Sequence, residues 1–130
     1  GEVSLSYQDL MSLPTVGIPA ASGWSQYATS GSNWPTATRN GRLVQLTGSF
    51  KNNSVIPAGD ASVMGTIPVG YRPAQRCNFL MQGSGRNIYL MYVNTDGRIE
   101  FSRYRSGSSY ADCDAGSWLN VACNFVAGDI

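Results

Sequence analysis

Asp112 and Asp114 are the only two carboxylates that lie close together in the sequence. A glycoside hydrolase needs two carboxyl groups facing each other across a cleft, roughly 5 to 10 Å apart, one of them with a raised pKa. On an extended stretch, residues two positions apart project to the same side. We therefore interpret both residues as hydrogen-bond acceptors for the hydroxyl groups of a ligand, not as an acid and base pair.

The sequence contains no histidine and a single lysine, Lys51, in a turn-like stretch. This inventory excludes histidine-dependent nucleophilic triads, imidazole bases and histidine-containing zinc sites. Asp112 and Asp114 could coordinate Ca²⁺, but the ordered glycine and the terminal Glu of a calcium loop are missing. A solvated acidic segment explains them better, so we expect no catalytic residue, no metal and no cofactor.

Aromatic residues are more numerous than a minimal core requires, with three Trp and seven Tyr. Their rings, beside Asn, Asp and Arg, suit sugar rings, which have apolar faces and hydroxyl edges. Trp34 and Tyr110 occupy stretches where burial is not demanded, and they are the aromatic candidates for a binding site. Trp24, Tyr71 and Tyr92 are predicted to be structural, and most other rings are expected to fill the core or subunit contacts.

Two arginines, Arg86 and Arg105, lie at the edges of predicted loops, whereas Arg72 is expected to bond local carbonyls within a turn. A guanidinium fork suits a phosphate or a pair of hydroxyl groups. For Arg105, a surface ion pair with the nearby aspartates is the alternative. The predicted saccharide-binding residues are Trp34, Arg86, Arg105, Tyr110, Asp112 and Asp114.

Charged residues make up 13% of the sequence and the formal net charge is +1. This balance gives no basic surface for nucleic acid. No stretch is apolar enough to cross a bilayer, and the first residues lack the features of a signal peptide. Fifteen Gly and six Pro indicate frequent turns and argue against long helices.

The three cysteines, Cys77, Cys113 and Cys123, form an odd set without CxxC spacing. We interpret them as reduced thiols, with Cys77 and Cys123 buried. A single disulfide between Cys77 and Cys123 is the alternative.

Short extended segments with turns between them account for most of the chain. The predicted strands lie within Gly41–Phe50, Ser62–Ile67, Arg76–Gln82, Asn87–Val93, Arg98–Tyr104 and Trp118–Val126. Asn94–Gly97 is a strong hairpin turn, and Gly83–Arg86 is a second hairpin turn and not a phosphate cradle. The pattern predicts an all-β fold, an antiparallel β-sandwich or barrel.

The chain is expected to divide into a connector or neck, residues 1–22, and a β domain, residues 23–130. The first segment has two prolines and no sustained period, with one short helical turn predicted around Tyr7–Met11. Arg105–Ser117 is predicted to be a polar loop of unusual length. Loops of this kind carry function more often than they carry the fold.

Five blocks of the sequence occur in an order that resembles a C-terminal domain of bacteriophage tail-fibre and baseplate proteins. The blocks are Gly23-Trp24 with Tyr27, Asn40–Gly48, Gly65–Pro73, Val93–Ile99 and Trp118–Phe125, and together they span about residues 22–127. The resemblance implies a homotrimeric β head similar to the receptor-binding heads of phages that infect lactococci and related Gram-positive bacteria. Those heads adsorb to cell-wall polysaccharide. The lack of His and the Arg105–Ser117 segment depart from the pattern, so no binding residue of the family transfers to this chain.

These observations lead us to expect a phage receptor-binding adhesin that recognises a host surface saccharide without catalysis. The expected location is the virion, at a tail-fibre or baseplate tip, with other tail proteins as partners. One alternative is a polysaccharide depolymerase that uses Asp112 or Asp114. A structural trimerisation cap without any ligand is the other.

Overall fold

The computed structural model describes residues 13–129, which contain β-strands and no helix. The strands are β1 Leu13–Gly17, β2 Trp24–Gln26, β3 Thr36–Asn40, β4 Leu43–Thr47, β5 Ser49–Asn52, β6 Ser62–Thr66, β7 Cys77–Gln82, β8 Ile88–Val93, β9 Arg98–Ser106, β10 Ser109–Tyr110, β11 Trp118–Asn120 and β12 Cys123–Val126. Within this part of the chain, no helix is available to span a membrane. The helical turn predicted at Tyr7–Met11 lies outside the described residues.

The strands form three antiparallel sheets that pack together. The first sheet has the order β1-β3-β4-β12, and the second has the order β10-β9-β8-β7 with β6 paired to β9. The third, smaller sheet has the order β11-β5-β2. The predicted fold class, an all-β antiparallel sandwich, is confirmed.

The core lies between the sheets because apolar side chains alternate with polar ones along the strands. Val44 and Leu46 are fully buried, whereas Gln45 between them is exposed. The Phe101 ring contacts three other rings, with centroids 5.3 Å from Tyr89 and 5.7 Å from both Trp24 and Tyr104. Full burial of one such side chain contributes roughly 1.5 to 3 kcal/mol, so this aromatic group is a large part of the folding energy.

The structural roles predicted for two aromatic residues are confirmed. Trp24 and Tyr71 are each only 5% exposed. Tyr92 is partly buried, and the Arg76 guanidinium lies 3.9 Å from the centroid of its ring. Arg72 behaves as predicted, since its Nε donates to the carbonyl of Ile67 at 2.8 Å.

Two of the predicted strands are each divided between two sheets. Gly41–Phe50 contains β4 and the start of β5, which separate at Gly48, and Trp118–Val126 contains β11 and β12, which separate after Asn120. β4 pairs with β12 in the first sheet, and β5 pairs with β11 in the third. Every second residue remains buried or partly buried across each break, so the alternation of apolar and polar residues continues without interruption. Each pair of strands was therefore predicted as a single strand.

Several segments are more regular than predicted, among them β2 and β3, which lie outside the predicted strands. Leu13–Gly17, within the predicted connector, is a strand paired with β3, because Leu13 and Val16 pack against the core. The start of the predicted loop Arg105–Ser117 is instead a hairpin between β9 and β10, in which Ser106 pairs with Ser109.

The prediction that Cys77 and Cys123 are the buried cysteines is wrong. Cys113 is fully buried, whereas Cys77 and Cys123 are only partly buried. Cys113 sits below the surface because its backbone forms a two-way bridge to Ile56, with N–H···O distances of 2.8 and 2.9 Å. All three cysteines are unpaired.

Candidate functional site

A groove of about 600 Å³ lies where the first and third sheets meet. This volume falls within the range of small-ligand pockets. Its lining comes from the segment after β2, the junction of β4 and β5, and β11 with the turn that follows. The lining residues are Tyr27, Ser32, Asn33, Thr47, Gly48, Ser49, Trp118, Asn120 and Ala122.

Backbone hydrogen bonds tie the three segments of the groove to one another. The N–H of Ser49 donates to the carbonyl of Asn33 at 3.2 Å, and the N–H of Tyr27 donates to the carbonyl of Ser49 at 3.0 Å. On the other side, Val121 N–H donates to the Gly48 carbonyl at 3.0 Å. The groove is therefore built on paired backbone, which holds its side chains in fixed relative positions.

Gly48 is required at the centre of this junction for two reasons. Its φ angle is +96°, a region that residues with a side chain rarely adopt. A Cβ atom at this position would also lie 2.2 Å from the carbonyl oxygen of Trp34. The close passage of the 31–35 segment over Gly48 is what shapes this side of the groove.

The chemical character of the groove is aromatic and neutral. Tyr27 is 40% exposed and Trp118 is partly exposed, so both rings offer surface to a ligand. Asn33, Asn120 and the hydroxyl residues supply neutral donors and acceptors. None of the nine lining residues carries a charge. Such a lining suits a neutral ligand with apolar faces and hydroxyl edges.

Asn120 is oriented by its surroundings. Its Oδ1 accepts the N–H of Ala122 at 2.9 Å, and its backbone carbonyl accepts the hydroxyl of the buried Tyr89. These two bonds use the acceptors of Asn120 and leave the two hydrogens of its side-chain amide as donors for a ligand.

Trp34 lies next to the groove but does not line it. Its indole packs against the backbone of β1, since a Cβ added to Gly17 would lie 2.9 Å from the ring. The side chain is partly buried, its backbone N–H donates to the carbonyl of Gly31 at 3.3 Å, and its own carbonyl lies close to Gly48. A ligand-binding role for the Trp34 ring stays a prediction.

Tyr110 and Arg105 come together on the β9–β10 hairpin. They are cross-strand partners, and the Arg105 guanidinium lies 5.6 Å from the centroid of the Tyr110 ring. Tyr110 is 53% exposed. Its other neighbour is Gly59, where an added Cβ would lie 3.9 Å from the ring.

The two aspartates have different surroundings. Asp112 Oδ1 accepts the N–H of Ala58 at 2.8 Å, which joins it to the same turn that Tyr110 contacts. Asp114 has an exposed side chain, and its backbone carbonyl accepts from Ser117 and Asn52. Among residues 13–129, the ion pairs of the structure involve neither aspartate, so the alternative pairing with Arg105 does not occur there.

Arg86 lies in the predicted hairpin turn between β7 and β8, which is confirmed by the bond from Gly83 N–H to the Asn87 carbonyl. It precedes Ile88, the cross-strand partner of Arg105, by two residues. The structure thus gathers Arg86, Arg105, Tyr110 and Asp112 at one end of the second sheet. Trp34 belongs to the groove side of the molecule, and the binding roles of all six residues stay predictions.

Sequence reasoning missed the two aromatic residues that line the groove. For Trp118 a signal was present, because it alternates in phase with Asn120, Ala122 and Asn124, opposite the buried Leu119. A tryptophan on the polar side of a strand has no role in the core. Tyr27 carried no such signal, since its exposure depends on the fold of the 27–33 segment.

Ionisable groups in the core have shifted pKa values, and burial is the main cause. Burial raises the pKa of Tyr89 well above its usual value, and it raises that of Cys123 to about 12. The pKa values of Cys113 and Tyr104 are raised for the same reason. The native state therefore keeps protons that the unfolded chain releases between about pH 9 and 12.

This difference predicts alkaline sensitivity. The free energy of unfolding should fall as pH rises above about 9, because the unfolded state binds fewer protons than the native state in that window. Urea denaturation at a series of pH values measures it, and Tyr89→Phe should flatten the decline. Val69→Ala, an exposed substitution that removes no ionisable group, should keep the slope of the parent protein. A urea midpoint that stays constant from pH 7 to 11 would contradict the prediction.

Comparison of the sequence with protein-family models and with curated proteins gives no match.

Proposed function

We propose that this chain is a non-catalytic saccharide-binding head of the phage tail-fibre or baseplate type, and that the groove binds a neutral saccharide. The observation that carries the proposal is the pairing of two accessible rings, Tyr27 and Trp118, with neutral amides and hydroxyls in one groove. Aromatic faces pack against the C–H faces of a sugar, and amides satisfy its hydroxyl groups.

The position of the groove in the fold supports this role. The groove lies at one end of the first sheet, where Thr47 of β4 pairs with Thr36. At the opposite end of β4, Leu43 pairs with Asn40 and Val126. Leu13 pairs with Arg39, also at this opposite end. Four residue steps of strand separate the two ends, or about 13 Å.

Residues 13 and 129 both lie at the end of the first sheet that is distant from the groove. The Leu13 side chain contacts Gly70, and the Asp129 carboxylate accepts the N–H groups of Gly70 at 2.7 Å and Arg72 at 2.9 Å. Arg39 donates to the carbonyls of both Gly70 and Asp129. If the head is joined to a larger assembly through this end of the first sheet, the groove at the opposite end faces outward, as a receptor-binding head requires.

The remaining parts of the proposal rest on the resemblance of the five sequence blocks to phage tail-fibre and baseplate proteins. It comprises a homotrimer, a location at the tip of a tail fibre or baseplate, other tail proteins as partners, and host cell-wall polysaccharide as the receptor. Three copies of a weak site on one head would raise the effective affinity for a repeating polysaccharide. Light scattering of the purified protein tests the trimer directly.

Substitution of the groove aromatics tests the function. Trp118→Ala and Tyr27→Ala should each weaken binding to host cell-wall polysaccharide roughly tenfold or more, because each removes a stacking surface. Calorimetric titration with polysaccharide fragments measures the effect. Val69→Ala is the matched control. Val69 is an apolar residue, 67% exposed, and it precedes Gly70 at the end of the first sheet that is distant from the groove.

Three outcomes would redirect the proposal. Loss of binding in Tyr110→Ala with normal binding in Trp118→Ala would place the saccharide on the β9–β10 hairpin instead. Shortening of polysaccharide chains during incubation, abolished by Asp112→Asn or Asp114→Asn, would make the protein a depolymerase. Unchanged adsorption with all three aromatic residues replaced would favour a structural cap.

A further inference from the structure

The chain that leads into β7 runs alongside β12 before the two separate into different sheets. Pro73 forms an antiparallel bridge with Ala127, and Ala74 N–H donates to the Val126 carbonyl at 2.9 Å. In an antiparallel register, each step forward on one strand matches a step back on the other. If this register is continued four residues beyond the bridge between Pro73 and Ala127, Cys77 lies opposite Cys123.

The side chains of both cysteines face the interior. Cys123 alternates in phase with the buried Phe125, and Cys77 alternates in phase with the buried Met81. Both cysteines pack against the core. Cys77 and Phe125 also line a cavity of about 350 Å³ beside this seam, which gives the Cys77 side chain room to change rotamer.

The two thiols also interact electrostatically. Burial is the first cause that raises the pKa of Cys123 to about 12, and the charge of a Cys77 thiolate is the second. Cys113 lies elsewhere, in the bridge to Ile56.

A disulfide requires the two backbones to approach each other at this seam. Paired strands have Cα atoms about 5 Å apart and packed sheets lie about 10 Å apart, so a seam where strands have just separated lies between these values. A disulfide needs Cα atoms closer than about 7 Å. Cys77 is the first residue of β7, at the edge of its sheet, where backbone movement meets the least resistance.

We propose that Cys77 and Cys123 are a modification site that closes into an intramolecular disulfide when the protein meets a disulfide oxidant such as oxidised glutathione. The Cys77 thiolate attacks one sulfur of the oxidant and expels one glutathione thiolate. The Cys123 thiolate then attacks the Cys77 sulfur and expels the second glutathione. The protein loses two protons and two electrons, and the oxidant is reduced to two molecules of glutathione.

The disulfide would join the first sheet to the edge of the second. It would also close a loop of more than forty residues between positions 77 and 123, which restricts the unfolded chain. The melting temperature should rise by roughly 10 °C relative to the reduced protein. Because both thiols have raised pKa values, closure should be slow at pH 7 and faster at pH 8.5.

Thiol counting and peptide mapping test the proposal on the intact chain. After incubation with oxidised glutathione at pH 8.5, alkylation under denaturing conditions should label one cysteine, Cys113, and mapping should recover a peptide that joins Cys77 to Cys123. Cys113→Ser is the matched control and should form the same bridge. Cys77→Ser and Cys123→Ser should show no intramolecular bridge and no rise in melting temperature.

Several results would overturn it. These are three labelled thiols after oxidation, a glutathione adduct on Cys77 that never resolves, a covalent dimer, or a bridge that involves Cys113. None of these readouts depends on saccharide binding, so the disulfide and the function of the groove are tested separately.

Discussion

Replacement of Gly48 by Ala should destabilise the protein by about 3 to 5 kcal/mol and abolish the saccharide binding that we propose for the groove. The added Cβ would meet three backbone atoms of the Trp34–Pro35 peptide within 2.5 Å, and it would have to adopt a φ angle of +96°. Backbone atoms cannot rotate aside as a flexible side chain can. The 31–35 segment would have to move away from the junction of β4 and β5, and the wall of the groove would move with it.

Gly23→Ala is the matched control for this substitution. Gly23 has a φ angle of +86°, close to that of Gly48, but an added Cβ would meet nothing within 4 Å. Its cost should be only the backbone strain, about 1 kcal/mol. Urea denaturation followed by tryptophan fluorescence gives both values. Equal destabilisation by the two substitutions would show that the contact with Trp34 does not determine the conformation of the junction.

Replacement of Asn52 by Ala should destabilise the protein by about 3 to 5 kcal/mol. Asn52 is 1% exposed, and its Nδ2 donates to the carbonyls of Ser54, Cys113 and Asp114 at 2.9 to 3.1 Å. Its Oδ1 accepts the N–H of Ser117 at 3.1 Å. Alanine would remove all four bonds and loosen the segment that leads into Trp118, although the Cys113 carbonyl keeps its bond from Ile56 and the Asp114 carbonyl keeps its bonds from Ser117.

Two further variants separate the causes of this effect. Asn53→Ala removes an exposed side chain that accepts one bond from Ser25, so it should cost less than about 1 kcal/mol. Asn52→Asp keeps the size of the side chain but turns a donor toward three carbonyl oxygens into an acceptor. It should be at least as destabilising as alanine near pH 7 and less so at low pH, where the carboxylic acid regains a donor. Asn52→Asp with the stability of the parent protein would show that the amide donors contribute little.

Features that depend on neighbouring residues were accessible from the sequence. The hairpin at Asn94–Gly97 was predicted because Asp-Gly favours such a turn. Bonding of Arg72 to a local carbonyl was also predicted, and the acceptor is the carbonyl of Ile67, five residues away. The burial of Val44 and Leu46 follows from alternation alone. Together such local signals determined the fold class.

Features that depend on distant residues were not accessible. Three of the four side-chain partners of Asn52 lie more than sixty residues further along the chain, and nothing near Asn52 distinguishes it from Asn53. The separation of β4 from β5 at Gly48 depends on the close approach of the Trp34 backbone. The alternation of apolar and polar residues gives no indication of this contact. The groove itself forms only when the 27–33 segment meets β11, so of its two rings only Trp118 could have been found from its phase.

The position of residues 13 and 129 at the same end of the first sheet has a mechanical consequence. A pulling force applied through these two positions would first load β1, the Gly70–Arg72 turn and the bonds of Asp129. Tyr27 and Trp118 lie outside that path, at the other end of the first sheet. Tension applied through residues 13 and 129 would thus load one end of the first sheet and leave the conformation of the groove at the other end unchanged.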